Sequence, residues 1–385
     1  MAFSINHLSP VVFGEDVSSE TGARLKELGC TKILCVYDKG IKEAGITDKV
    51  IDNIQAQGIK SVTYDRVLAD APDYTIEEAA EIGRKEQVDG IVAIGGGSSM
   101  DTAKAVNVLL GNPSPINQYM ARGAQPKPGK VLFLLPTTSG TGSEVTPVAV
   151  VTDTKKNRKG GVLGPVCRAT LAIVDPGLTS GMPAYITADT GMDAFSHAAE
   201  AITSGMANPM SDILAEKAVA LVCGYLPRAV KDGSDTEART NMSFAAMIAG
   251  YAFADALPHY GHAIGHTLGS MFHTPHGNAC GIVLPEVMEF IVDEVPDKVK
   301  RVGIAMGLAL SGDLSSGDIG KKVADAIREL NREIGLKTLK AHKIEESALP
   351  DVARMALTDD TAGFGPKKAN YEDILKMLKR TYIMK

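Results

Sequence analysis

Residues Gly90–Leu110 read GIVAIGGGSSMDTAKAVNVLL. The opening residues are short, apolar and partly β-branched, as in a strand buried on both faces. Gly95-Gly96-Gly97 breaks that run, and a helical pattern, DTAKAVNVLL, follows at Asp101. A buried strand, a glycine turn and a helix in succession predict a parallel sheet with helices on its faces. The turn also has chemical meaning, because glycines let a ligand reach the backbone and a helix start offers unpaired N–H groups to a phosphate. The third glycine of G-x-G-x-x-G is missing, so this loop alone does not separate a phosphate site from a plain tight turn.

Working outward, further strands are expected at Lys32–Asp38, Ser61–Val67, Lys130–Pro136 and Thr170–Asp175, with helical patterns such as TGARLKELG and TIEEAAEIGRKEQ between the early ones. From Thr187 onward the pattern changes. Apolar residues recur at helical spacing in ILAEKAVALVCGYL and NMSFAAMIAGYAF, and strand-like runs largely disappear. The chain therefore reads as an α/β domain with a parallel sheet over 1–180 and an all-α domain over 181–385. Ser311–Gly320, rich in Ser and Gly, reads as a surface loop.

Composition narrows the function. The 385 residues suit two domains, and 44% hydrophobic with 22% charged residues is the balance of a water-soluble globular protein. A net charge of −6 gives no broad basic face, which argues against nucleic acid as partner. No run approaches the roughly 18 apolar residues of a spanning helix, and the start, MAFSINHLSP, does not read as a signal peptide. The five cysteines are odd in number and scattered, which points to reduced thiols in a cytoplasmic protein.

A second polar loop, Pro136–Glu144 (PTTSGTGSE), follows another buried strand, and its hydroxyls suit ribose and phosphate. Two such loops together favour a nucleotide. Asp38, at the end of the first clear strand, is either a ribose ligand that would repel a 2′-phosphate or a helix cap. The histidines point to a metal. Asp193 and His197 are four apart, as are His262 and His266, and His273 and His276 follow closely. On helices each pair faces one way, and a carboxylate with several imidazoles suits a divalent first-row ion. Spacing does not choose among His262, His266, His273 and His276. His7, His259 and His342 stand apart from the group, and H-E-x-x-H is absent, which excludes the zinc-protease pattern.

VYDKG at 36–40, GGGSSMDTAK at 95–104, PTTSGTGSEVT at 136–146, TGMDAFSH at 190–197 and GHAIGHTLGSMFHTPHGNA at 261–279 occur in this order. Together they resemble the iron-containing (group III) alcohol dehydrogenase family nearly end to end. The resemblance implies an N-terminal dinucleotide-binding α/β domain, an all-helical C-terminal metal domain and a metal-dependent, NAD-linked alcohol dehydrogenase or aldehyde reductase. It further implies metal ligands at Asp193, His197, His262 and His276, with His266 near the nicotinamide as proton relay and Asp193 and His262 catalytic through the metal. The cofactor would lie against Gly96, Gly97 and Ser98, with Thr137, Thr138, Thr141 and Lys159 adding contacts and Asp38 on the ribose.

The implied ion is one divalent metal, iron(II) or else zinc. The implied partners are a small alcohol, diol or aldehyde and further copies of the chain. Two other readings are a glycerol dehydrogenase-like zinc polyol enzyme and an inactive, assembly-forming relative. Three positions depart from the family pattern: Leu257-Pro258-His259-Tyr260 is more polar, Gly365 stands where an asparagine commonly precedes the proline, and Val148 is apolar. The His259–Tyr260 pair suggests either a short polar substrate or support for the metal histidines.

Overall fold

The computed structural model describes residues 8–121, 123–156 and 158–383; His7 and most of the N-terminal stretch read above lie outside them. The first half alternates strands and helices: β1 (Val11–Phe13), α1 (Thr21–Glu27), β2 (Lys32–Val36), α2 (Lys39–Glu43), α3 (Ile46–Ala56), β3 (Lys60–Tyr64), α4 (Asp73–Glu86), β4 (Gly90–Gly95), α5 (Gly97–Gly111), β5 (Val131–Pro136), β6 (Val148–Asp153), β7 (Arg158–Leu163) and β8 (Leu171–Val174). Six strands form one parallel sheet in the order β1-β8-β5-β4-β2-β3, as the apolar strand runs require.

The side-chain alternation of strands divides the apolar residues of this unit into two cores. Leu34, Val36, Ile91, Ala93, Leu132 and Leu134 face α4 and α5 through Ile76, Ala79, Val106 and Leu109. Ile33, Cys35, Val92, Ile94, Phe133 and Leu135 face α1 and α3 through Leu25, Val50 and Ile54. Helices on both faces explain why the central strands carry no polar side.

The bounds of β3 and a hairpin depart from the sequence reading. β3 ends at Tyr64 rather than Val67, because its neighbour β2 ends opposite it, at Val36. β6 and β7, absent from that reading, pair as an antiparallel hairpin from Val148↔Leu163 to Asp153↔Arg158. Lys104 of α5 is fully buried, and its ammonium donates to Ser143 Oγ (2.9 Å), Thr146 O (3.1 Å) and Val148 O (2.7 Å), tying the second polar loop to α5.

The second half is helical: α6 (Ala184–Thr203), α7 (Pro209–Lys231), α8 (Thr236–Ala256), α9 (Tyr260–Phe272), α10 (His276–Ile291), α11 (Pro296–Ala305), α12 (Ser316–Glu333), α13 (Leu349–Ala356) and α14 (Tyr371–Ile383). By compactness, Met182 onward together with Ser139–Thr141 forms one unit, and Gly142–Gly181 groups with the residues up to Thr138. α6 runs through the middle of the helical unit, since every residue from Gly191 to Thr203 is buried. Among the described residues no helix is long and apolar enough to cross a membrane. The expected loop at Ser311–Gly320 is shorter than read, because Ser315 accepts from Asp318 N (3.1 Å) and caps α12 at Ser316.

Candidate metal centre and nucleotide loops

On α6, Asp193, His197, Glu200 and Thr203 succeed one another at intervals of four, three and three residues, so they share one face. All four are buried. Asp193 Oδ1 lies 3.8 Å from His197 Nδ1, 3.8 Å from His262 Nε2 of α9 and 3.4 Å from His276 Nε2 at the start of α10. Gly277 makes the last approach possible: a Cβ there would stand 1.9 Å from Asp189 O and 2.8 Å from Asp193 Cβ, so any larger residue would push α10 off α6. The His262 ring stacks on His197 (4.4 Å between centroids) and meets His276 edge to face (5.4 Å).

The donor set fits a divalent ion. Donors about 2.1–2.3 Å from one tetrahedral ion are about 3.4–3.8 Å apart, the spacing seen around Asp193 Oδ1. His197 Nδ1 and His262 Nε2 are buried nitrogens with no hydrogen-bond partner among the described residues, a cost of about 1–3 kcal/mol each unless a ligand takes them up. Burial, and then the nearby His262 and His266, hold the His197 pKa well below its ordinary value, so its lone pair is available to a metal.

Glu200 went unnoticed in the sequence and organises the site. Its carboxylate is fully buried and accepts from His262 Nδ1 (2.5 Å), Gly261 N (2.6 Å), and His259 N and His262 N (each 3.2 Å). His259 Nδ1 is 3.1 Å away, and His259 Nε2 meets Thr203 Oγ1 at 2.9 Å. Burial opposes charge on Glu200, but His259, His262 and the backbone donors outweigh it and bring its pKa down to about 2. An ionised Glu200 fixes His262 with the proton on Nδ1, which turns the Nε2 lone pair towards Asp193. The seven-residue interval from Asp193 to Glu200, two helical turns, was the available signal.

The other histidines separate clearly. His266 directs Nδ1 to Asp359 Oδ2 (3.0 Å) and stacks on His276 (5.2 Å). Asp359 is held by Thr361 N (2.9 Å) and Thr361 Oγ1 (2.6 Å). His273 is exposed and closes α9 in the left-handed conformation (φ 55°). His342 bonds Asn278 Oδ1 (3.0 Å). His259, set apart in the sequence reading, instead belongs to the Glu200 cluster. The suggestion that His259 and Tyr260 face a polar substrate is not what the structure shows: Tyr260 donates to Lys367 O (2.5 Å) and accepts from Ala369 N (2.9 Å). The Tyr260 ring also accounts for Gly365, where a Cβ would fall 2.3 Å from it.

In the sheet unit, the chain leaves β2 towards β3 and leaves β4 towards β5 on the opposite side, so the strand order reverses between β2 and β4. Ligands of open α/β sheets bind at such a reversal, beyond the strands' carboxyl ends. Asp38 follows β2 and Gly96 follows β4. Gly96, Gly97 and Ser98 are half-buried at the start of the 15-residue α5, beside Thr138, whose Cγ2 is 3.2 Å from where a Gly96 Cβ would sit. Thr137 N continues the β4–β5 ladder to Gly95 O (3.0 Å), and its buried Oγ1 has no hydrogen-bond partner among the described residues. Ser98 Oγ accepts from Asp70 N (3.1 Å), and Lys159 pairs with Asp70 (2.7 Å). Asp38 caps α2 through Ile41 N (3.1 Å) and accepts from Ser99 Oγ (3.4 Å). Thr141 clusters with the helical unit rather than with Thr137 and Thr138.

Residues 9–176 match the family model described as iron-containing alcohol dehydrogenase, and residues 187–382 match that of the Fe-containing alcohol dehydrogenase family, C-terminal. A 1,3-propanediol dehydrogenase of Citrobacter freundii is 35% identical over 96% of both chains. An NAD-dependent methanol dehydrogenase of Bacillus methanolicus is 33% identical over 96% of this chain and 97% of its own. The crystal structure of a 1,3-propanediol oxidoreductase superposes with a TM-score of 0.95 at 34% identity, covering 98% of this chain and 100% of that one.

Proposed function

We propose, given that the chain belongs to the iron-containing alcohol dehydrogenase family and is an NAD-dependent alcohol dehydrogenase, that Asp193, His197, His262 and His276 hold its metal and that His266 relays the proton. The observation carrying this reading is the convergence of three imidazole nitrogens within 3.4–3.8 Å of Asp193 Oδ1. A divalent ion, iron(II) or zinc, supplies Lewis-acid polarisation of the substrate's oxygen, and NAD accepts the hydride. Overall, a primary alcohol and NAD give an aldehyde, NADH and a proton.

The chain's own residues do the rest. Glu200 keeps the His262 proton on Nδ1. Asp359 keeps the His266 proton on Nδ1 as well, leaving His266 Nε2 to take the alcohol proton during oxidation and return it during reduction. Gly96, Gly97 and Ser98 present the start of α5 to the pyrophosphate, with Thr137, Thr138, Thr141 and Lys159 around it. In this reading residues 1–180 are the NAD-binding domain and 181–385 the metal-binding, catalytic one. The substrates are small primary alcohols, diols and their aldehydes, the chemistry named for the propanediol and methanol relatives.

We also read the protein as cytoplasmic, because none of its five cysteines forms a disulfide. We read it as a homo-oligomer, with exposed Tyr185, Met206 and Ile213 giving apolar surface for a second copy. Metal-stripped protein reloaded with iron(II) or zinc, then given NADH and a panel of small aldehydes, is expected to oxidise NADH only when loaded. Equal turnover in the stripped protein would refute the metal's role.

Asp38 tests the cofactor half. Its cap on α2 is worth only a few tenths of a kcal/mol relative to glycine, so Asp38→Gly leaves the fold intact. The expected result is a fall of about tenfold or more in the ratio of NAD to NADP efficiency, through lost repulsion of the 2′-phosphate. An unchanged ratio would leave Asp38 as a cap alone.

A further inference from the structure

One group beside the metal centre has no part in the reading above. Cys280 is fully buried on α10, four residues after His276 and so on the same helical face. Its Sγ is 3.8 Å from both ring nitrogens of His276. One donor atom each from Asp193, His262, His276 and Cys280 can be chosen so that all lie within 4.8 Å of one another. Donors about 2.1–2.3 Å from one tetrahedral ion stand about 3.4–3.8 Å apart, so the widest of these separations would close by up to about 1 Å around an ion. Gly265 of α9 leaves the sulfur its place, since a Cβ there would stand 2.5 Å from Sγ. His262 is common to this group and to the set that includes His197, and its buried Nε2 has no hydrogen-bond partner among the described residues.

We propose that Cys280 is a fifth donor of the centre, so that thiophilic divalent ions such as zinc are held by Asp193, His262, His276 and Cys280, whereas iron(II) uses His197 in place of the sulfur. The proposal rests on the reading of this cluster as a metal site. Thiolate is a soft donor that favours zinc, while the carboxylate–imidazole set suits iron(II). On zinc binding the Cys280 S–H bond breaks, its proton leaves to solvent, and a sulfur–metal bond forms with no change of oxidation state.

Cobalt(II), a coloured stand-in for zinc, tests this in the full-length protein stripped of metal. Wild type loaded with cobalt(II) is expected to show visible ligand-field bands and a near-ultraviolet sulfur-to-cobalt charge-transfer band. Cys280→Ser should keep the visible bands, lose the charge-transfer band and bind zinc about tenfold or more weakly. His197→Ala should keep the charge-transfer band and lose iron(II) affinity first. Visible bands without a sulfur band in wild type, or a sulfur band surviving in Cys280→Ser, would overturn the proposal while leaving the metal site standing. No cobalt absorption in any of the three proteins would overturn the metal-site reading, and the proposal with it.

Discussion

Alanine at position 262 is expected to lower kcat/KM by about a thousandfold or more while NADH still binds with its usual fluorescence enhancement. The imidazole of His262 is central in the cluster: its ring touches those of His197 and His276, its Nε2 faces Asp193, and its Nδ1 is held by Glu200. Its removal takes away one donor and the orienting contact of a buried carboxylate together. A Lewis acid contributes several kcal/mol to a reaction of this kind, and each 1.36 kcal/mol is a factor of ten in rate. The proposed nucleotide residues other than Thr141 lie in the other unit, so cofactor binding should survive. Stopped-flow NADH binding beside steady-state turnover separates the two effects. Near-normal turnover in His262→Ala would remove it from the ligand set.

The second large effect belongs to Glu200. Replacing it by alanine leaves the amides of His259, Gly261 and His262 without an acceptor, and two buried imidazoles without their carboxylate. Breaking a buried charged network costs about 3–5 kcal/mol, which urea denaturation of the metal-free protein would register. Glu200→Gln separates the stability role from the orienting role, because the amide oxygen still accepts from the backbone but carries no charge. That variant should lose less stability yet bind metal about 10–100-fold more weakly, the usual effect of removing a carboxylate behind a ligating histidine. Wild-type metal affinity in Glu200→Gln would reduce Glu200 to a purely structural carboxylate.

Much of this was legible in the chain itself, for stated reasons. Gly90–Leu110 revealed the sheet because a strand buried on both faces must be apolar throughout, and a glycine turn separates the two periods cleanly. The i,i+4 pairs revealed a histidine cluster because helix geometry places such residues on one face. Spacing could not choose among four histidines, since the choice depends on how α10 meets α6, through Gly277, and how α9 meets α10, through Gly265 and Cys280. Glu200 was missed because a glutamate in an alanine-rich helix reads like a solvated residue. Its burial depends on α9, some sixty residues further on. β6 and β7 were missed because a hairpin beside glycines and charges resembles a loop. β1, three residues long, carries too little pattern to be read alone.

That short first strand has a consequence for the birth of the protein. Among the described residues β1 pairs only with β8, whose residues lie some 160 positions further along the chain. A ribosome adding about 5–20 residues per second needs roughly 8–30 s to cover that distance. Throughout that interval the growing polypeptide holds Val11–Phe13 without the edge it docks on, and Ser18 waits for Asp175, which it meets at 2.5 Å in the finished fold. Closure of the sheet is thus timed by translation. A nascent chain stalled before Leu171 should leave its first strand accessible to chaperones or proteases, whereas one released past Asp175 should not.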